Sequence, residues 1–204
     1  MKKNEKQAYE RFKKAAQYMI DGLWYLGFDD PENFAGTQDR VAKALMEIYS
    51  GCNNTQEQVD HILSKAFPAN GHDDMVIASN VVVFSMCPHH LLPVEYHIAV
   101  GYIPSKEDAN SKVLGLSKLA RLAEVLAKRP VLQETLTQDI VKELEKLNIA
   151  GAAVIVNGKH MCMRMRGAEK RESSVMTSAM TGVFKSDSST RAEFMNLVSG
   201  SVQF

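Results

Sequence analysis

The order of strand-like and helix-like segments in the middle of the chain is the feature that most constrains its fold. Two runs rich in β-branched residues come first, and two segments with apolar residues at helical spacing follow them. Asn157 and Gly158 then form a dipeptide that strongly favours a tight hairpin turn, so the residues on either side predict two further antiparallel strands. Strand pairs separated by a helix pair are typical of an α+β domain with an antiparallel sheet. The segments are strands at 75–86 and 94–104, helices at 118–129 and 130–147, and strands at 152–156 and 159–167.

Amphipathic helices are expected on both sides of this core. Apolar residues recur at helical spacing in 5–26 and 38–49, a third helix is expected near 55–66, and TRAEFMNLV predicts a last helix near the end. We therefore expect a helical N-terminal extension over residues 1–72, followed over 73–204 by the domain that carries the sheet. Together they are expected to form one functional unit.

The composition of the chain limits its partners and its compartment. In 204 residues, 24 basic side chains balance 24 acidic ones, so no net field favours nucleic acid or an anionic membrane as a partner. No apolar run approaches the roughly 18 residues that a spanning helix needs. Three cysteines are an odd number in a chain of this size, which favours thiol or metal chemistry in a reducing compartment. We expect a soluble cytoplasmic protein in which Cys52 is a buried or incidental thiol.

Cysteine and histidine residues concentrate at two strand ends and predict a metal site. The stretch FSMCPHHLLP, at 84–93, carries Cys87, His89 and His90 directly after a strand. Strand alternation in the last predicted strand would place His160, Cys162, Arg164 and Arg166 on one face and three methionines on the other. Thiolate and imidazole are the ligands that zinc prefers. The alternative is a buried apolar cysteine with histidines that only form hydrogen bonds at strand ends.

Basic residues at a predicted helix start indicate a phosphate-binding site. Ser117 can cap the first of the two central helices, and Lys118 and Arg121 follow within about one turn. Cations at a helix N-terminus are unfavourable unless an anion lies there, although two solvated basic side chains remain an alternative. In the next helix Glu134 lies away from the apolar stripe, where it either serves a site or only complements the helix dipole.

Several blocks of sequence, in this order, resemble the GTP cyclohydrolase I family. The resemblance extends from about Ala8 to Val198. The matching blocks are RVAK (40–43), FSMCPHHLLP (84–93), GYIP (101–104), VLGLSKLAR (113–121), RPVLQETLTQDI (129–140), KHMCMRMRG (159–167), TSAMTGVFKSD (177–187) and TRAEF (190–194).

The resemblance implies a fold and an assembly. The fold would be the tunnelling fold (T-fold), a ββααββ antiparallel sheet with two helices on one face, here with an N-terminal helical extension. The assembly would be a toroidal homodecamer, a dimer of pentamers, with the active sites between subunits.

The resemblance also implies a role for each matching position. Cys87, His90 and Cys162 would hold Zn²⁺, and His89 and His160 would transfer protons. Glu134, with the backbone near Gln133, would read the guanine edge. The triphosphate would be bound by Arg40, Ser117, Lys118, Arg121 and Arg166.

The implied reaction is hydrolytic opening of the imidazole ring of GTP, an early step of folate and pterin biosynthesis. Zinc would activate water for attack on C8 of the purine while a histidine protonates N7. C8 would leave as formate, and the ribose would rearrange to give 7,8-dihydroneopterin triphosphate.

Two departures from the family pattern motivate alternative functions. Pro88 stands where glutamate is usual and Asn80 where aspartate is usual, and the loop before GLSK is longer than is common. A same-fold paralogue could bind GTP or a related purine but stop at a ring-opened intermediate, or serve a deazapurine pathway. A non-catalytic nucleotide-binding module is opposed by the intact histidines and cysteines. A nitrile reductase of the same fold is opposed by the two cysteines committed to metal.

Overall fold

The computed structural model describes residues 3–200 of the 204-residue chain. These residues form two compact units, which are divided in sequence between Ser50 and Gly51. The helix and strand at 55–68 group with the second unit. The predicted division into a helical extension over 1–72 and a sheet domain over 73–204 stays a prediction.

The first unit is helical, as the apolar spacing predicts. It contains α1 (Lys3–Tyr25), α2 (Pro31–Phe34) and α3 (Thr37–Ile48), and α1 packs against α3. Asp39 on α3 accepts a hydrogen bond of 2.7 Å from the Tyr9 hydroxyl and pairs with the Lys13 ammonium at 2.8 Å. The bond from Lys13 is the main cause that lowers the pKa of Asp39.

The second unit is built on a four-stranded antiparallel sheet in the order β2-β3-β5-β6, with a separate two-stranded sheet, β1-β4. The predicted order holds for the first two strands, the helix pair and the strand after it, but the last strand is Val175–Met180 instead of the predicted 159–167. Its elements are α4 (Thr55–Leu63), β1 (Ala66–Pro68), β2 (Val76–Met86), β3 (Pro93–Pro104), β4 (Lys112–Leu114), α5 (Leu116–Ala127), α6 (Gln133–Glu145), β5 (Ile149–His160), α7 (Met161–Arg164), β6 (Val175–Met180), α8 (Val183–Ser186) and α9 (Ser188–Val198).

Successive side chains of the central strands point to opposite faces of the sheet, and both faces are buried. On one face, every second residue of β3 packs with leucines and isoleucines of α5 and α6. The five β3 residues on that face are fully buried: Val94, Tyr96, Ile98, Val100 and Tyr102. On the other face, Ala99, Ala153 and Ile155 pack with Phe184 and Phe194 from the last two helices. The predicted α+β class, with two helices on one face of an antiparallel sheet, is confirmed.

The predicted hairpin at Asn157 and Gly158 is wrong, because β5 runs through both residues. Asn157 pairs with His97 on one side and with Met176 on the other, so it lies inside a central strand. A Cβ at residue 158 would lie 2.9 Å from Cε1 of Tyr96, which is too close for a real contact. Glycine is therefore required here for close approach of neighbouring side chains rather than for a turn.

The predicted strand beyond His160 is also wrong. The last β3–β5 pair is Val94 with His160, and the next β3 residue, Pro93, has no N–H to continue the ladder. With no partner, residues 161–164 form the helical turn α7. The predicted alternation of His160, Cys162, Arg164 and Arg166 along one strand face therefore does not occur.

Both central helices begin at residues other than those predicted. The N-cap of α5 is Gly115, without a side-chain hydrogen bond, so Ser117 lies inside the first turn instead of capping it. Helix α6 begins at Gln133 rather than at Pro130, because Pro130 is extended and forms a bridge with Met86. Leu132, which was expected in the apolar stripe, is 44% exposed.

The structure bears on the expected burial of Cys52 and on the expected lack of a membrane-spanning helix. Cys52 is exposed, which rules out the buried thiol of the two alternatives expected for it, and the incidental thiol stays a prediction. No helix within residues 3–200 has the length and apolar character that crossing a membrane requires.

The packing of α9 on the sheet can be tested at Gly101. A Cβ added there would lie 2.8 Å from Cε2 of the fully buried Phe194, so Gly101→Ala must displace this ring. We expect the free energy of unfolding to fall by about 1–3 kcal/mol, the usual cost of overpacking. Urea unfolding measures it, and Gly200→Ala is the control because nothing lies within 4 Å of its added Cβ. Equal stabilities of the two variants would contradict the described packing.

Candidate metal centre and substrate pocket

A pocket of about 240 Å³ opens where β2 and β5 end and α6 begins. Three separate segments line it: the turn after β2, the start of α6, and the β5–α7 junction. The polar residues that line it were all predicted site residues: Cys87, His89, His90, Gln133, Glu134, His160 and Cys162.

The thiols and one histidine form a group that can hold a metal ion. One ligand atom each from Cys87, His160 and Cys162 lies within 4.8 Å of the others. The Cys87 Sγ also lies 3.8 Å from Nδ1 of His90 and 3.9 Å from Nδ1 of His89. Two ligands of a tetrahedral zinc ion are about 3.5–3.8 Å apart, as its bond lengths require. The donor set and its spacing fit a metal ion with a preference for sulfur and nitrogen.

A tight turn after β2 holds the first half of this group. Cys87 N–H donates to the Leu92 carbonyl at 2.9 Å, and Leu91 N–H donates to the Cys87 carbonyl at 2.8 Å. Leu91 has φ +50°, a left-handed conformation that costs a non-glycine residue energy and tends to persist at functional sites. Neither of the two bonds needs an N–H at residue 88, so Pro88 is compatible with the turn.

Gln133 fixes the orientation and the tautomer of His160. Its Nε2 donates to the carbonyls of Val156, at 3.0 Å, and Val175, at 2.7 Å. The Oε1 therefore faces His160, whose Nε2 lies 2.9 Å away and must donate. Neutral His160 thus carries its proton on Nε2 and has a lone pair on Nδ1. Sequence reasoning placed Gln133 at the guanine edge and missed this role, for which a single sequence has no signal.

Burial controls the protonation of the groups around the pocket. Burial lowers the pKa of His160, and the negative charge of Glu134 opposes this shift. His160 is therefore a neutral proton acceptor near neutral pH. Burial raises the pKa of Cys162, and so do the hydrogen bond that its thiol donates to Cys87 and the negative charge of Cys87. A bound cation reverses this last effect, because it stabilises both thiolates.

Arg166 reaches the pocket through His90. One guanidinium nitrogen lies 3.3 Å from Nε2 of His90. A guanidinium can only donate, so this nitrogen of His90 is the acceptor and Nδ1 carries the proton. Metal binding through Nδ1 requires the opposite tautomer, so it would release Arg166 from His90.

Ser117, Lys118 and Arg121 lie at the other end of the sheet. They are in the first turns of α5, close to Leu114, whose N–H donates to the Tyr102 hydroxyl at 2.7 Å. Tyr102 is eight residues along β3 from Val94, which pairs with His160. At strand spacing this separation is on the order of 25 Å. Within one chain, these residues do not meet the metal group.

Two other predicted positions lie outside the pocket lining among the described residues. Arg40 belongs to the first unit, where its guanidinium donates to the Ala35 carbonyl at 2.9 Å and to the Thr37 hydroxyl at 2.7 Å. Asn80 lies at a bulge in β2, between Ala78 and Val81, with φ +54°. Asparagine tolerates this conformation better than most residues, which gives Asn80 a backbone role.

The fold and the site define a class: α+β proteins in which thiols and an imidazole that can hold a metal ion line a pocket. The comparison with known proteins is more specific. Residues 15–199 match the family GTP cyclohydrolase I. The chain belongs to this family, and its sheet and helix pair are the family's T-fold.

Curated relatives agree with this assignment. GTP cyclohydrolase 1 of Acetivibrio thermocellus is 39% identical over 193 residues, 94% of this chain and 97% of that protein. The enzyme of the same name from Pseudoalteromonas translucida is 43% identical, over 84% of this chain and 91% of its own. That of Drosophila melanogaster is 42% identical, over 83% of this chain and 50% of its own. The predicted family and the predicted enzyme class, GTP cyclohydrolase I, are confirmed.

A solved structure gives a weaker likeness. The archaeosine synthase QueF-Like, in the apo form, aligns with 53% of this chain and 93% of its own at 19% identity and a TM-score of 0.42.

The role of Gln133 can be tested by Gln133→Leu. This change leaves the Val156 and Val175 carbonyls without their donor, so we expect the free energy of unfolding to fall by about 1–3 kcal/mol. Urea unfolding is the measurement. Gln138→Leu is the control, because Gln138 is exposed on the same helix. A Gln133→Leu protein as stable as the control variant would refute this hydrogen-bond arrangement.

Proposed function

We propose that the GTP cyclohydrolase I reaction takes place in the pocket that holds Cys87, Cys162 and His160. The observation that carries the proposal is the convergence of two thiols, three histidines and Glu134 on one cavity from three separate segments. The substrate is GTP, and the products are formate and 7,8-dihydroneopterin triphosphate. The reaction serves folate and pterin biosynthesis.

The ion is Zn²⁺, held by Cys87, Cys162 and His90. When bound, it supplies an activated water molecule at neutral pH for attack on C8 of the purine. His160 is the other candidate for the third ligand, since it belongs to the group within 4.8 Å. His90 is favoured because its Nδ1 lies 3.8 Å from the Cys87 Sγ, a separation that suits two ligands of one zinc ion, and because this choice leaves His160 for proton transfer. Binding of His90 through Nδ1 also frees Arg166 for the triphosphate.

His160 and His89 move the protons of the reaction. The lowered pKa of His160 keeps it neutral at physiological pH, so it can accept a proton on Nδ1 and return it to a leaving nitrogen. His89 lines the same pocket and is exposed, so it can exchange protons with solvent. His160 therefore transfers protons from a half-buried position, and His89 transfers them from an exposed one.

Glu134 selects guanine. Its carboxylate lies at the exposed mouth of the pocket, where it can accept hydrogen bonds from N1–H and from the exocyclic amine of guanine. Adenine has no N1–H and would leave the carboxylate badly paired, which costs binding energy. The backbone near Gln133 completes the recognition of this edge.

Side chains from two copies of the chain bind the triphosphate. Arg166 comes from the copy that holds the metal, and Ser117, Lys118 and Arg121 come from a second copy. The separation on the order of 25 Å within one chain supports this division, since it exceeds the length of an extended nucleoside triphosphate. Arg40 provides a further cation for the triphosphate.

The assembly is a homodecamer, a dimer of pentamers, with sites between subunits. Large apolar side chains exposed near the end of α1 support association, because monomeric proteins rarely expose such groups together. They are Tyr18, Met19, Trp24 and Tyr25. Residues 1–72 act as a helical extension and 73–204 as the catalytic domain. The location is the cytoplasm, and neither nucleic acid nor membrane is a partner.

Incubation of the zinc-loaded protein with GTP tests the proposed activity. We expect formate and the fluorescent, oxidised pterin to form in equal amounts. A chelator should abolish both products, and zinc should restore them. GTP loss without formate would instead indicate an enzyme that stops at the ring-opened intermediate, and no turnover would contradict the proposal. Cys52→Ser is the control, because this exposed cysteine does not line the pocket and its loss should leave both products unchanged.

Subunit mixing tests the shared site. Lys118→Ala and Cys87→Ser proteins should each be inactive, the first through loss of triphosphate binding and the second through loss of a metal ligand. Mixed oligomers should recover activity in about a quarter of their sites, because random pairing unites the two intact halves at that frequency. Mass spectrometry of the intact assembly confirms mixing. Mixed oligomers without activity would contradict a site built from two copies.

A further inference from the structure

Tyr96 lies beneath the metal group and has no part in the proposed reaction. It is on the helix-facing side of β3, opposite Gly158 of β5 and fully buried. Its ring meets the His160 ring edge to face, with centroids 5.9 Å apart and planes at 78°. His160 is thus held by Gln133 at one ring nitrogen and by the Tyr96 ring against its side.

The β5 backbone leaves room for this tyrosine. An added Cβ at Gly158 would lie 2.9 Å and 3.0 Å from two carbon atoms of the Tyr96 ring. Those distances are too short for an unstrained contact, and Gln133 Oε1 lies closer still, so the ring and this oxygen together occupy the space that a side chain at 158 would take. The fit fixes the direction in which Tyr96 extends and therefore the position of its hydroxyl.

The hydroxyl itself lacks a partner. It is buried, and no hydrogen-bond partner exists for it among residues 3–200. A buried hydroxyl without a partner is unfavourable, and in native proteins such a group is explained by strain, by a role in a functional site, or by a bound water or ion. By contrast, the equally buried Tyr102, six residues further along β3, accepts a hydrogen bond from Leu114 N–H at 2.7 Å.

The groups around the hydroxyl are those of the metal site. Tyr96 and Cys87 belong to one packed cluster, and Cys162 packs against it. Burial raises the pKa of Tyr96 above its usual range, and negative charge on Cys87, Glu134 and Cys162 raises it further, with Cys87 contributing most among the three. Tyr96 and the two thiols therefore share one packed environment, in which Cys87 belongs to the same buried cluster as the tyrosine.

A thiol is a weak acceptor, whereas a metal-bound thiolate carries negative charge and accepts strongly. We propose that the Tyr96 hydroxyl donates a hydrogen bond to the Cys87 thiolate once a metal ion is bound, so that Tyr96 positions and stabilises the ligand set. It is a positioning residue and does not touch the substrate. The inference depends on the metal site of the proposed function.

If Tyr96 has this role, removal of its hydroxyl should weaken metal binding but should not destabilise the metal-free protein. Tyr96→Phe keeps the ring against His160 and removes only the hydroxyl. We expect the dissociation constant for Zn²⁺ to rise roughly 10-fold or more, the usual effect of losing a hydrogen bond to a metal ligand. The melting temperature of the metal-free protein should stay the same or rise, because an unpartnered buried hydroxyl has been removed. Competition with a chromophoric chelator and thermal unfolding of the full-length chain provide the two measurements.

Tyr102→Phe is the matched control, because it removes a partnered hydroxyl from the same strand and the same face. Its zinc affinity should equal that of the unaltered protein. Its metal-free melting temperature should fall by about 2–4 °C, as expected when a protein of this size loses one buried hydrogen bond.

Two results would overturn the inference. One is a Tyr96→Phe protein that binds Zn²⁺ within twofold of the unaltered chain. The other is a metal-free Tyr96→Phe protein that loses as much thermal stability as Tyr102→Phe, which would show a purely structural hydrogen bond. Failure of the unaltered chain to bind Zn²⁺ would instead contradict the proposed function, so the two failures are distinguishable.

Cobalt(II) reports on the sulfur directly. A hydrogen bond lowers the energy of the sulfur lone pairs of a thiolate. Loss of this bond in Tyr96→Phe should therefore shift the sulfur-to-cobalt charge-transfer band to longer wavelength. An unchanged band would refute donation to Cys87.

Discussion

The pairing of β3 with β5 is the constraint on which the site depends. It sets Val94 opposite His160 and ends there, because Pro93 cannot extend the ladder. The chain then leaves the sheet in two turns at the same end, one carrying Cys87 and the other Cys162. A shift of register by one residue would turn every inward side chain of β5 outward and separate the two thiols.

Sequence reasoning succeeded where periodicity is long and one face is buried. The spacing of apolar residues predicts α1, α3 and the central helix pair, and runs of β-branched residues predict β2 and β3, whereas the short helix α2 was not predicted. It failed at Asn157 and Gly158, a dipeptide that predicts a hairpin turn. Pairing with strands on both sides keeps β5 continuous through these residues. It failed again after His160, since local alternation cannot reveal that the neighbouring strand ends.

The site was only partly predictable for a related reason. Cys87, His89, His90, His160 and Cys162 stand out because of their chemistry, and the pocket contains them all. The partnership of Gln133 with His160 was not visible, because it depends on which carbonyls surround one amide group in three dimensions. Nor could the sequence show that Lys118 and Arg121 lie at the far end of the sheet from the thiols.

The fit between Tyr96 and Gly158 has an evolutionary consequence. A side chain at 158 would meet the Tyr96 ring and, closer still, Gln133 Oε1, so it can grow only if Tyr96 shrinks and Gln133 also gives way. A larger residue at 158 alone would strain the packing, and a smaller residue at 96 alone would leave a cavity. Homologues should therefore divide into a group with an aromatic residue facing glycine and a group in which both positions differ, with few chains between them.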